Sequence, residues 1–465
     1  MIKRTNAIPP LLLLWFMLVL LACNLTEQPA PPTLVPRPTS TPPPTIGYAT
    51  LAPDEFPSEA TQVAPAVVQP DASMLSLLNL VDADRMFETI DSLVGMRTRR
   101  VGSFPGSTSE GIDAAANYVL NQFNRIRDQS YQGSFLVQTQ EFPITWNDVQ
   151  STGRNIIGIL SGTDVGGGVI ILGAHYDSIS YSFDDSSAFA PGANDDASGM
   201  AALLEVARIM SQRPHRATVI FIAFSAEEIQ RAGSKAFVEG YLSAEGSNFD
   251  VTAMLNMDII GSSTGPDGDV NDDEIRLFSA DPNASPSRQL ARSLNLIAAR
   301  LAPNMKIIVQ DGVDRAGRYS DHMSFSDAGY PSVRFTEALE DVSRQHSDRD
   351  TIEDIQAGYL VDATKTILAC MTALADGPPP PQNISLRPAA NGQRTLVWER
   401  VPGAIGYIVA LRRPGSLAYN QYFPISDIST TWDKFTSAYY ESLSIAAVDA
   451  SGLIGPLSAE FAIAS

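Results

Sequence analysis

The sequence predicts an α/β fold, with a buried and largely parallel sheet between layers of helices, followed by a separate all-β sandwich. Three observations predict it. Short β-branched runs alternate with helical periodicities through the middle of the chain. A proline run, Pro378–Pro381, ends that alternation. Beyond it the residues alternate as strands do and offer no credible helix.

Apolar residues recur at helical spacing around Met74–Val94, Gly111–Ile126, Ala197–Met210, Ala284–Leu301 and Ile352–Leu374. Between them lie strand-like runs at Asn155–Leu160, Val169–Gly173, Thr218–Phe224, Ala253–Met257, Lys306–Val309 and Pro331–Phe335. Several of these are apolar throughout, as strands covered on both faces are. Past the prolines, Trp398, Tyr407 and Leu443 fall at inward positions of Thr395–Arg400, Gly406–Arg412 and Leu443–Val448. The stretches LVWERVPGAIGYIVALR and LSIAAVDASG resemble a fibronectin type III domain, which implies a spacer or adhesion module.

At 465 residues the chain has room for two folded domains plus tails. Residues 1–23 read as a lipoprotein-type leader, 24–71 as a stalk, 72–377 as the α/β domain and 378–465 as the sandwich. In the leader, Lys3 and Arg4 precede an apolar run from Leu11 to Leu21 that is short for a membrane span. Leu20-Leu21-Ala22-Cys23 resembles a bacterial lipobox, which implies lipidation of Cys23 and a place at the outer face of the membrane or in the periplasm. An ordinary signal peptide or an uncleaved anchor is the alternative. The Pro- and Thr-rich stretch that follows suits an extended stalk, because proline fixes φ and removes donors. The only other cysteine, Cys370, sits in an apolar helical stretch, so no disulfide framework is expected. A formal charge of −20 makes nucleic acid an improbable partner.

Metal-assisted hydrolysis needs His, Asp or Glu ligands from several loops and a nearby general base. Four segments supply such residues at or just past strand ends, where open α/β sheets place their sites. Gly173-Ala174-His175-Tyr176-Asp177 offers an imidazole and a carboxylate to fix its tautomer. Asn194-Asp195-Asp196 opens the helix at Ala197, so its carboxylates suit either a helix cap or a bridge between cations. Phe224-Ser225-Ala226-Glu227-Glu228 offers two neighbouring carboxylates; one can ligate while the other takes a proton from the attacking water, unless both belong to a solvated turn. Leu255-Asn256-Met257-Asp258 ends a buried run, where an idle carboxylate is costly. A fifth segment, Gln345–Thr351, holds His346 and Asp350 and equally suits a helix start.

In order and spacing these five motifs resemble the co-catalytic dizinc aminopeptidases, a family of secreted bacterial leucyl aminopeptidases within the zinc exopeptidase fold. The resemblance runs from about Asp91 to Leu374 and includes Arg100-Val101-Gly102-Ser103. It implies a mixed, mainly parallel sheet, two zinc ions, and removal of N-terminal residues from peptides. His175 and Asp258 would bind one zinc, Glu228 and His346 the other, and Asp195 both. Glu227 would be the base, with Asp177 and Asp350 behind the two histidines. In place of the glycine that such enzymes often carry two residues after the glutamate pair stands Gln230.

Tyr319-Ser320-Asp321-His322 also matches a family segment, which implies His322 near the substrate pocket or in structural packing. His215, in a loop, is expected to be exposed. The acidic run from Asp267 to Glu274 spaces oxygens as a calcium loop does but lacks its glycine and terminal glutamate. Carboxypeptidase or glutaminyl cyclase activity shares the same ligands. A surface binding protein with a degenerate peptidase domain is the alternative of another class, against which the complete ligand set argues.

Overall fold

A computed structural model describes residues 72–146, 148–244 and 249–464. The leader, Cys23 and the stalk lie outside the described residues. Among the described residues no helix is long and apolar enough to cross a membrane.

Eight strands form one sheet: β1 (Phe135–Trp146), β2 (Val149–Leu160), β3 (Val169–His175), β4 (Thr218–Phe224), β5 (Val251–Met257), β6 (Glu274–Ser279), β7 (Lys306–Val309) and β8 (Ser332–Glu337). Their spatial order is β1-β2-β4-β3-β5-β8-β6-β7. The centre, β4-β3-β5-β8, is parallel, and antiparallel pairings join β1 to β2, β2 to β4 and β8 to β6. The mixed, mainly parallel α/β sheet expected from the sequence is therefore present. Every residue of β3 and β8 is buried, which explains why their apolar runs show no alternation.

Helices α1 (Ala72–Leu78), α2 (Ala83–Val94), α3 (Gly111–Gln129), α4 (Ser198–Met210), α5 (Ala232–Phe237), α6 (Pro286–Leu301), α7 (His322–Asp327) and α8 (Ala357–Asp376) pack around the sheet. The helix expected over Met74–Val94 is two helices. Asp82 interrupts it, its side chain accepting from the N–H of Asp84 and Arg85 and so starting α2. The helix expected from Ile352 begins at Ala357, after a single 3₁₀ turn at Ile352–Asp354. Strands β1 and β6 go unmarked in the sequence reading. β1 alternates only loosely because it lies at the sheet edge, with Leu136 about half exposed.

Beyond Gly377 two antiparallel sheets follow. One comprises β9 (Ser385–Pro388), β10 (Arg394–Val397) and β13 (Ser429–Trp432), and the other β11 (Ala404–Arg412), β12 (Gln421–Ile425), β14 (Ser442–Asp449) and β15 (Phe461–Ala462). Trp398, Tyr407 and Leu443 are buried between them, with the two aromatic rings edge to face at 5.3 Å. The second sheet is not merely strung behind the first domain. Ile408, Ala410, Tyr419, Ala446 and Leu457 join the main hydrophobic core. Gln289 of α6 donates to Ser444 Oγ at 3.0 Å and to the Ser458 carbonyl at 2.7 Å. Arg292, fully buried, donates to the Leu417 carbonyl at 2.6 Å and pairs with Glu460 at 3.3 Å.

Candidate metal centre

Strands β3, β4 and β5 are neighbours and run the same way, so the residues just past their ends meet at one edge of the sheet. His175 closes β3, the Glu227–Glu228 turn follows β4, and Asp258 follows β5. The loop beyond β8 brings His346, and the turn before α4 brings Asp195.

These side chains form two clusters that share one carboxylate. His175 Nε2 lies 3.3 Å from Asp195 Oδ1 and 3.7 Å from Asp258 Oδ1. His346 Nε2 lies 3.3 Å from Asp195 Oδ2 and 3.0 Å from Glu228 Oε2. Within each cluster, His175-Asp195-Asp258 and Asp195-Glu228-His346, the ligand atoms all lie within 4.8 Å of one another. Ligands about 2.0–2.1 Å from a tetrahedral zinc sit roughly 3.3–3.4 Å apart, so the spacing fits that ion. The polar atoms also lack other satisfaction: His175 Nε2 and Glu228 Oε1 are buried without a hydrogen-bond partner among the described residues. A buried donor or acceptor left this way is costly unless something else occupies it.

The electrostatics point the same way. Burial favours the neutral form of Glu227, and Glu228 and Asp321 add to the rise while His175 opposes it, so its carboxyl stands well above the usual range. Glu228 is raised chiefly by burial too. Burial alone would lower His175, but hydrogen bonds to Asp177, Asp195 and Asp258 outweigh it and raise the ring well above its usual value. His346 is pushed up to about 11: the carboxylates of Glu228 and Asp195 overcome its burial. Asp258 is held well below the usual carboxylate range, because Arg334, 3.2 Å away, outweighs its burial. Carboxylates this crowded favour positive charge among them.

Supporting residues fix this geometry. Asp177 accepts from the N–H of Glu227 at 3.1 Å and of Glu228 at 3.2 Å, and lies 3.5 Å from His175 Nδ1. It therefore ties the first histidine to the turn that carries both glutamates. Asp350 differs from expectation. Its two oxygens accept from the N–H of Asn194 at 2.7 Å and Asp195 at 2.9 Å, and no described hydrogen bond joins it to the His346 ring. The reason is position: His346 and Asp350 flank the turn, so Asp350 supports Asp195 and the ring of His346 rests against Tyr181, 5.2 Å between centroids.

Two more residues organise the same edge: Asp196, for which the sequence left helix capping or a cation bridge open, and Arg99, which it did not mark. Asp196, joined to Asp195 by a cis peptide, accepts from the N–H of His175, Gly199 and Ile259 at 3.1–3.2 Å, linking three segments. Arg99, fully buried, donates to the Tyr176 carbonyl at 2.7 Å, the Gly192 carbonyl at 2.9 Å and the Pro191 carbonyl. The resemblance stressed Arg100 onward, one residue too late. A buried arginine paired mainly with carbonyls leaves no sequence signal other than its charge.

One further expectation, that for His215, is corrected, and two open ones are narrowed. His322 is fully buried, its Nε2 donating to the Val313 carbonyl at 2.7 Å, and it does not line the cleft. Its neighbour Asp321 is buried as well, and burial raises that carboxyl to about 7. His215 is not exposed: its Nε2 donates to the Met210 carbonyl at 2.8 Å and its Nδ1 lies 2.9 Å from Asp376, at the end of α8. The run Asp267–Glu274 gathers no three carboxylates; Asp273 pairs with Lys306 and Glu274 accepts from Asn271.

A mainly parallel sheet whose strand ends gather two carboxylate–imidazole clusters around one shared aspartate defines the chain as a metallohydrolase of the zinc exopeptidase fold. Residues 155–371 match the model of peptidase family M28. A probable zinc metalloprotease of Pyrenophora tritici-repentis is 30% identical, over 68% of this chain and 71% of that protein. One from Pyricularia oryzae is also 30% identical, over 82% and 84% respectively. The chain belongs to peptidase family M28 and is a zinc-dependent peptidase. In fold it is similar to the LapA aminopeptidase of Legionella pneumophila, with a TM-score of 0.52 at 20% identity over 65% of this chain and 75% of the other. It is similar to a glutaminyl cyclase of Macrostomum lignano to the same TM-score of 0.52, at 19% identity over 68% and 96%.

Proposed function

We propose that the enzyme is a dizinc aminopeptidase, removing residues from peptide N-termini. The observation that supports it most is Asp195, whose two oxygens face the two histidines of two separate clusters. His175 and Asp258 would hold one zinc, Glu228 and His346 the other, with Asp195 shared. Bound there, the ions supply Lewis acidity and bring the pKa of a water towards neutrality.

The chain's own residues do the rest. Glu227, held by its backbone to Asp177 and nearly buried, is placed to take the proton of the attacking water and return it to the leaving amine. Its raised affinity for protons suits both halves of that transfer. Carboxylate oxygens at the same site would hold a free α-amine of the substrate, the feature that selects N-termini. Arg334, between Asp258 and Asp314, keeps the Asp258 carboxylate ionised and oriented. A lipid anchor on Cys23 would hold this activity outside the cytoplasmic membrane.

The test is turnover of paired chromogenic peptides with free and acetylated N-termini. Cleavage of the free-amine member alone supports the proposal. Cleavage of N-blocked peptides from their C-terminal end, or cyclisation of N-terminal glutamine without hydrolysis, would replace it with another activity.

A further inference from the structure

The cleft beside the two clusters has a volume of about 410 Å³ and is lined by two chemically opposite groups of residues. One group is Asp195, Glu227, Glu228, Asp258 and His346. The other is basic, and its cations come from two separate segments: Arg231 and Lys235 after the glutamate turn, Arg315 and Arg318 from the loop ahead of α7.

Their situations differ. Arg315 is committed to Glu340 and Asp314, and Arg231 has its Nη1 3.7 Å from Asp327. Lys235 and Arg318, both half-buried, form no ion pair among the described residues. Unpaired surface cations are ordinary, but this chain has 52 acidic residues to 32 Lys and Arg, so a free pair facing one cavity is not what chance supplies. The blander duty, balancing the catalytic carboxylates, does not fit. Asp195, Glu228 and Asp258 pair with His175, His346 and Arg334, and no described ion pair joins these three or Glu227 to the four basic groups.

Backbone conformation adds a second observation. Gln230 and Arg231 both adopt left-handed φ, +56° and +61°, and both line the cleft. Glycine would sit there without strain. Keeping side chains at such positions is a mark of functional sites.

We propose that Lys235 and Arg318, with Arg231 beside them, bind a carboxylate of the peptide, so that the enzyme prefers substrates with negative charge close to the scissile bond. This rests on the aminopeptidase reading only for where the α-amine sits. An ammonium from α5 and a guanidinium from the loop ahead of α7 make a two-point receptor for such a group. The carboxylate has two sources: an acidic side chain near the N-terminus, or the α-carboxylate of a very short peptide.

The experiment is calorimetric titration of the full-length, zinc-loaded Glu227→Gln protein with matched peptides. One pair is Glu-Ala-Ala amide against Gln-Ala-Ala amide; the other is Ala-Ala as free acid against its amide. Within at least one pair the carboxylate member should bind about tenfold tighter, an advantage that shrinks in Lys235→Met and Arg318→Met and as ionic strength rises. The first pair reports an acidic side chain, the second a chain terminus. Equal binding within both pairs overturns the proposal, and so does an advantage that both substitutions leave intact. Turnover of free-amine and N-blocked peptides by the unsubstituted enzyme is read separately, so failure of the aminopeptidase reading leaves the binding result interpretable.

Discussion

Replacing Asp177 by asparagine changes no volume, yet it should weaken zinc binding at a distance from the metal. The Asp177 carboxylate accepts two backbone N–H groups, from Glu227 and Glu228, and lies 3.5 Å from His175 Nδ1. An amide has one oxygen, so one of those N–H groups would face an NH₂ and lose its acceptor. Hydrogen bonds to a charged group contribute about 1.5–3 kcal/mol, so losing one and weakening the other costs roughly 2–4 kcal/mol. The His175 ring keeps its 3.2 Å hydrogen bond to the Asp177 carbonyl but loses the charge beside Nδ1, and weakening such a support lowers metal affinity by up to about 10–100-fold. Competition between the protein and a chromogenic chelator measures the zinc affinity, and denaturant unfolding of the metal-free protein measures the stability. Unchanged zinc affinity together with an unchanged unfolding midpoint would refute the reasoning, because it would mean that Asp177 holds neither the ring nor the turn.

Glu227→Gln should lower turnover by at least 10²-fold while zinc content stays that of the unsubstituted protein; retained turnover would remove Glu227 from the role of base. Gly199→Ala would ordinarily stabilise a helix such as α4, but its Cβ would meet both Asp196 oxygens at 2.5 Å. A loss of about 1–3 kcal/mol is expected instead, read from the unfolding midpoint, and a gain would contradict the clamp assigned to Asp196. Glu460→Ala leaves Arg292 buried without a carboxylate, while Arg412 keeps Glu441, so the C-terminal sheets should be held less firmly to α6, at a cost of up to about 3–5 kcal/mol. Proteolysis after Gly377 should then become rapid; equal protease resistance would show that the contact contributes little.

The central strands and the ligand-bearing segments were legible because burial on both faces leaves long apolar runs, and a carboxylate at the end of such a run is conspicuous. His175, Glu227, Glu228 and Asp258 all have that signature. The edge strand β1, half exposed, and β6, hidden behind an acidic run, did not. Supporting contacts were harder still. Asp350 serves backbone amides rather than a ring, and Asp196 binds, besides nearby Gly199, the amides of His175 and Ile259, which only the closed sheet edge brings together. His215, read in a loop, and His322, read near a helix start, are each lone histidines in sequence, and both are buried with local partners. The left-handed turn at Gln230 was foreshadowed, since glycine is common there in similar enzymes, but its lining of a basic wall was not. That lining exists only because the loop of Arg315 and Arg318 and the segment after the glutamate turn border the same cleft.

The central claim is that Asp195 is shared between two zinc ions. Anomalous diffraction collected on either side of the zinc absorption edge, from crystals of the zinc-loaded enzyme, tests it most directly. Two peaks, one beside His175 and Asp258 and the other beside Glu228 and His346, with Asp195 touching both, are the expected result. A single peak at full zinc occupancy, or a second one away from Asp195, would contradict it.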